Sequence, residues 1–148
     1  MSGHPNYASL LAQPARAGVY HLPQNGEAAV AAVARNLGYP WLTVDLAPVR
    51  DKATLLAALA RTLAFPAWFG HNWDALADCL GDMSWRPAAG YVLVLAHADA
   101  LRAAAEGDFL LLLEILAETS ERWREEGVPF WTFVDLAADG IALLPSLG

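Results

Sequence analysis

The chain holds a single cysteine, Cys79, among 148 residues. An intramolecular disulfide is excluded, and the thiol usage suits a reducing compartment. Charge is also scarce: 17% of residues are charged, with 9 basic against 16 acidic, for a net charge of −7. Such a balance repels a polyanion, which argues against nucleic acid as a direct ligand, and it attracts a basic protein. No uninterrupted apolar run approaches the ~18–20 residues of a membrane span. The opening stretch MSGHPNYASLLAQPARAG lacks the charged start and long apolar run of a secretion signal. The expectation is a cytoplasmic protein without membrane contact. No glycine-rich phosphate loop, Ser-His-Asp order, internal repeat or low-complexity tract stands out beyond an alanine excess.

What is present is apolar substance. Hydrophobic residues make up 56%, enough for one domain to bury a core without disulfides or metals. Residues 1–17 mix Gly, Pro, Asn and Ala without a period and read as a loose lead-in. Residues 18–22 (GVYHL) form a short strand candidate, stopped by Pro23 and the Asn25–Gly26 turn signal. Residues 27–37 carry helical spacing, with Gly38 as their stop. Residues 41–46 (WLTVDL) are rich in strand formers between Pro40 and Pro48. A second helix is expected over 51–63, ended by Pro66, because a residue before proline avoids helical angles. YVLVLA, Tyr91–Ala96, is a continuous apolar run that fits a strand covered on both faces. Residues 108–126 read as a long helix stopped by Gly127, and 128–134 (VPFWTFV) as the last strand. Residues 136–148 read as a tail or a short edge element. Strands alternating with helices predict a single α/β domain over 18–148, with a small parallel sheet of three to four strands flanked by helices.

The most informative stretch is residues 63–85. Asp74, Asp78 and Asp82 recur every four residues, and at about 100° per residue they share one helical stripe. Trp73, Leu76, Cys79, Leu80 and Met83 take the opposite side, with Asn72 suited to the N-cap and Gly81 near the end. Like charges four apart cost a helix roughly 0.2–0.5 kcal/mol per pair. No Lys or Arg interrupts them. The plain reading is a solvated helix face; the sharper one is a surface presented to a partner. Cys79 with His71 as base would make a cysteine nucleophile, but the helical wheel turns Cys79 inward beside Asp78, whereas a reactive thiol wants electropositive surroundings. His71, Asp74 and Asp78 could clasp a divalent metal, yet they match no standard ligand spacing. Trp73 and Phe69 belong to the core by pattern, while Trp68 is an aromatic in a loop beside acids, suited to anchoring a partner. Gly70 is expected to permit an unusual backbone angle in that loop. Trp41, Trp123 and Trp131 fall in regular elements and read as core or edge packing.

The pattern Leu63, Phe65, Pro66, Phe69, Gly70, Asn72, Asp74, Ala75, Leu76, Asp78, Cys79, Leu80 and Trp85 resembles the signature of the barstar family, intracellular inhibitors of secreted bacterial ribonucleases such as barnase. In element order the likeness spans residues 41–134, so the strand and helix at 18–40 read as an N-terminal extension. The resemblance implies a one-to-one inhibitor, not an enzyme and without a cofactor. Its acidic helix and preceding loop would plug a basic ribonuclease active site, with carboxylates standing in for RNA phosphates. Asp78 falls on the family's central acidic contact and Asp74 on a flanking one. Trp68 falls on an aromatic contact, and Trp85 on a nearby tryptophan displaced by one inserted residue. Gly70, His71 and Asn72 would shape the loop, and Asp82 extends the stripe. The chain departs from the family at Ala77, where a tryptophan is usual, and at Arg122, where a further acidic contact would fall with Glu121 and Glu125 nearby. The alternatives from other classes are an interaction module that turns the same face to a non-nuclease protein, and a metal-assisted hydrolase around His71 and Asp74.

Overall fold

The computed structural model describes residues 6–23 and 25–136. The elements run α1 (Tyr7–Leu11), a 3-10 turn (Pro14–Arg16), β1 (Val19–His21), α2 (Glu27–Asn36), β2 (Trp41–Asp45), α3 (Lys52–Leu63) and α4 (Trp73–Asp82). There follow β3 (Tyr91–Ala96), α5 (Asp99–Ala104), α6 (Glu106–Glu125) and β4 (Phe130–Val134). The four strands form one sheet in the order β1-β4-β3-β2, and every pairing is parallel. This is the α/β architecture that the alternation of patterns predicts.

The central strands explain the unbroken apolar runs. β3 has two neighbours and helices on both sides, so successive side chains of Tyr91–Ala96 enter different cores. Tyr91, Leu93 and Leu95 join Phe130 and Val134 of β4 in the larger core, where α3, α4, α5 and α6 contribute Leu56, Leu59, Leu76, Leu80, Leu101 and Leu116 among others. Val92 and Val94 join Trp131 and Phe133 on the other face, under Leu10 and Leu11 of α1 and Val30 and Ala34 of α2. β2 is an edge, and its pattern is alternating: Leu42 and Val44 are buried while Thr43 and Asp45 are exposed.

Several boundaries differ from the sequence reading for identifiable reasons. Residues 6–17 are more than a lead-in. Tyr7, Leu10 and Leu11 share one face of a single helical turn and are buried, and the Asn6 side chain caps that turn by accepting from Ser9 N–H at 3.1 Å. Five residues are too few to show a period, so tertiary burial supplies what local propensity does not. α3 stops before Pro66 takes effect: Ala64 adopts φ 55°, and Phe65 N–H bonds back to Ala60 O at 2.9 Å. The alanine-rich stretch after β3 forms α5, whose six residues are too few to carry a readable period. Ala105, non-helical at φ −147° and ψ 62°, then separates α5 from α6, so α6 begins at Glu106 rather than residue 108. β4 begins at Phe130, since Pro129 has no N–H to give and contributes only its carbonyl to Tyr91 N. Gly38 and Gly127 take left-handed φ after α2 and α6, as their helix-stop role requires. Of the tail or short edge element expected at 136–148, Leu136 is buried against the larger core, and the rest lies outside the described residues.

Candidate functional site

The acidic helix is built from its first residue. Asn72 is extended and its Oδ1 accepts the Ala75 N–H at 2.8 Å, while its Nδ2 donates to Gly70 O at 3.3 Å. One side chain therefore caps α4 and ties the loop to it. The left-handed residue of this loop is His71, at φ 53°; Gly70 is not, which corrects the sequence expectation. A side chain at Gly70 would instead press on the Asn72 amide, 3.2 Å from the position of a Cβ, so glycine there leaves room for the cap.

α4 then shows its two faces. Leu76, Cys79 and Leu80 are buried in the larger core, while Asp74, Asp78 and Asp82 are all exposed. Among the described residues the ion pairs are His97–Asp135 and Arg102–Glu106, so none of the three stripe carboxylates is engaged by a cation of this chain. Asp82 Oδ2 accepts from Ser84 Oγ at 3.2 Å. Asp74 lies in the first turn, where the helix dipole favours an anion; Asp82 lies in the last turn, where it does not. The stripe is therefore not arranged for the stability of the helix that carries it.

Aromatic rings flank the stripe. Phe69 is buried, and its ring meets Phe65 at 4.9 Å and His71 at 4.7 Å between centroids, both in tilted contacts. Trp85 packs edge-on against Phe65 at 5.9 Å and Trp68 at 6.4 Å, and its Nε1 donates to Leu63 O at 3.1 Å. Trp85 is thus half-buried and pins the exit of α4 to the end of α3. Trp68 is the outermost ring, 61% exposed, resting on Trp85 as on a plinth. Trp73 is only half-buried, with the Lys52 ammonium 5.6 Å above its ring.

α6 fastens α4 from the side. Trp123 Nε1 donates to Leu80 O at 2.8 Å, and Arg122 Nη1 to Ala77 O at 3.1 Å. Sequence reasoning missed both, because contacts across more than forty residues leave no local signal. The burial of Cys79 raises its thiol pKa, and Asp78 and Asp82 raise it further, so the thiolate a nucleophile needs is disfavoured. Among the described residues no group of three or more His, Cys, Asp or Glu could hold a metal ion, so His71, Asp74 and Asp78 form no ligand set. No helix of the described residues is long and apolar enough to cross a membrane.

Together these features define a parallel α/β scaffold that displays an acidic helix flanked by aromatic rings. Residues 39–135 match the family described as Barstar (barnase inhibitor), and the chain belongs to that family. Residues 1–38, with α1, β1 and α2, lie outside the match as an N-terminal extension. No curated protein matches the chain.

Proposed function

We propose that this protein inhibits a basic ribonuclease by binding it one-to-one and covering its active site with α4 and the loop before it. The observation that carries the reading is the row of exposed carboxylates, Asp74, Asp78 and Asp82, engaged by no cation of this chain among the described residues. In a complex they would take the places of substrate phosphates, with Asp78 central. Trp68 offers an apolar anchor beside them, and Trp85 supports it. Gly70, His71 and Asn72 fix the angle at which loop and helix meet. The free buried thiol of Cys79 suits a cytoplasmic setting, which we propose with the same reading.

The test is a panel of small basic secreted ribonucleases, assayed for RNA cleavage and for association and dissociation rates. Association should be fast at low salt and slow as salt screens the attraction. Asp78→Ala should chiefly speed dissociation, because it leaves a partner cation buried without its counter-charge. A variant that inhibits as tightly as the parent would remove Asp78 from the interface. Capture of a basic non-nuclease protein through the same face, with no ribonuclease inhibited, would favour the interaction-module reading suggested by the departures at Ala77 and Arg122.

A further inference from the structure

Gly81 stands inside α4, one residue before its end. Glycine in a helix is less stable than alanine, since it has more backbone freedom to lose. Gly81 does not use that freedom for a left-handed angle. What it supplies is space: a Cβ there would overlap the guanidinium of Arg122, whose Cζ and both terminal nitrogens lie over the backbone at that point. The same guanidinium donates to Ala77 O at 3.1 Å. Ala77 and Gly81 are one turn apart, and each directly precedes an aspartate of the stripe, Asp78 and Asp82. The small residues form a slot along the side of α4, and an arginine from α6 lies in it. Arg122 makes no ion pair with either aspartate among the described residues, so its charge stays available at the border of the acidic row.

We infer that Arg122, seated over Gly81, is a specificity-determining residue of the acidic face. It selects a partner whose cationic site is bordered on the α6 side by an acidic or carbonyl-lined edge. A partner whose cations extend across that border meets a fixed like charge and is turned away. The inference rests on the reading of α4 as the partner surface. A purely structural brace would look the same in the free protein, but it predicts different kinetics. Loss of a brace loosens the complex whatever replaces the arginine. Removal of a border charge changes the logarithm of the encounter rate in proportion to the charge removed.

The experiment measures binding of barnase, as a basic ribonuclease probe, to the parent, Arg122→Gln and Arg122→Glu, at about 0.01 M and about 1 M salt. The expected result is an association rate that rises from parent to Gln to Glu at low salt, by about tenfold in all, and converges at high salt. Equal or slower association in the variants overturns the inference, and so does an absence of binding by all three, because relief of the repulsion should have allowed it. Asp78→Ala is added to each background. If it leaves binding by Arg122→Glu intact, the acidic-face reading itself fails. If it weakens binding while the Arg122 series is flat, only the specificity role fails. Thermal unfolding of each variant confirms that the slot, not the fold, has been altered.

Discussion

On its second face the sheet of the family-matched segment is covered by the N-terminal extension. Val92, Val94, Trp131 and Phe133 are fully or almost fully buried on that face, under α1 and α2. The Leu11 carbonyl accepts from both the Tyr39 hydroxyl at 3.2 Å and the Trp131 indole at 3.1 Å, and Arg124 of α6 donates to Pro14 O and Ala17 O. Starting the chain at Gly38 would keep all of residues 39–135 and remove that cover. Returning four such side chains to water, at about 1.5–3 kcal/mol each, costs roughly 6–12 kcal/mol. The figure is an upper estimate, because an unfolded chain already hides part of its apolar surface. It is comparable to the whole stability of an ordinary domain, about 5–15 kcal/mol. The loss of β1 also exposes the edge of β4. The shortened chain should therefore show no cooperative urea transition by circular dichroism, and it should bind a hydrophobic dye. A cooperative transition with a midpoint within about 0.5 M urea of the full chain, a difference of roughly 1 kcal/mol, would refute the reasoning. In the full chain, Leu11→Ala removes a fully buried anchor of the cover and should cost about 2–5 kcal/mol in urea unfolding.

Other expectations follow from single groups. Asn72→Ala removes the cap of α4 and should lower stability by about 1 kcal/mol in urea; Asn72→Asp should restore most of it, and equal losses in both would show that the cap bond does not stabilise. The Thr54 backbone N–H, with its hydroxyl adding to the effect, holds the Asp51 carboxyl below its ordinary value. A depressed folded-state pKa means that this stabilisation is present above the unfolded value near ~3.9 and lost as pH falls through the folded one. Asp51→Asn keeps a capping oxygen without the titration, so it should flatten that part of the acid-unfolding curve; an unchanged curve would contradict the assignment. Cys79 is fully buried, with its thiol pKa raised first by burial and then by Asp78 and Asp82. Thiol reagents at neutral pH should label it only at the rate at which α4 opens, and instant labelling in the folded protein would refute that burial.

The sequence made legible whatever rests on local pattern. The β3 run appeared at Tyr91–Ala96 to the residue, because a strand covered on both faces has no alternation to blur it. The Asn72 cap and the two faces of α4 were equally readable, since capping chemistry and a four-residue repeat are local facts. α1 and α5 escaped because each is only five or six residues long and owes its place to the surface it covers. Within the site, the left-handed angle expected at Gly70 falls instead on His71, whose ring packs beside Phe69 and whose two neighbours are joined by the bond from Asn72 Nδ2 to Gly70 O. The bonds from Arg122 and Trp123 to α4 were invisible for a simpler reason: α6 and α4 meet only in three dimensions.

α4 shows why an acidic row of this kind can persist. Its two like-charged steps cost roughly 0.2–0.5 kcal/mol each, and Gly81 adds about 1 kcal/mol relative to alanine. Against this stand two fully buried leucines, Leu76 and Leu80, each contributing about 1.5–3 kcal/mol. The indole of Trp123 and the Asn72 cap add a hydrogen bond apiece, each worth about 1 kcal/mol. The helix is held by its back face, its cap and its flank, and none of these attachments uses a carboxylate of the stripe. The outward side can therefore be chosen for what it meets instead of for what it stabilises. Replacing the three aspartates by asparagine should then leave stability unchanged or slightly raised, while abolishing salt-dependent association with a basic partner. A marked loss of stability would mean that the carboxylates hold the fold after all.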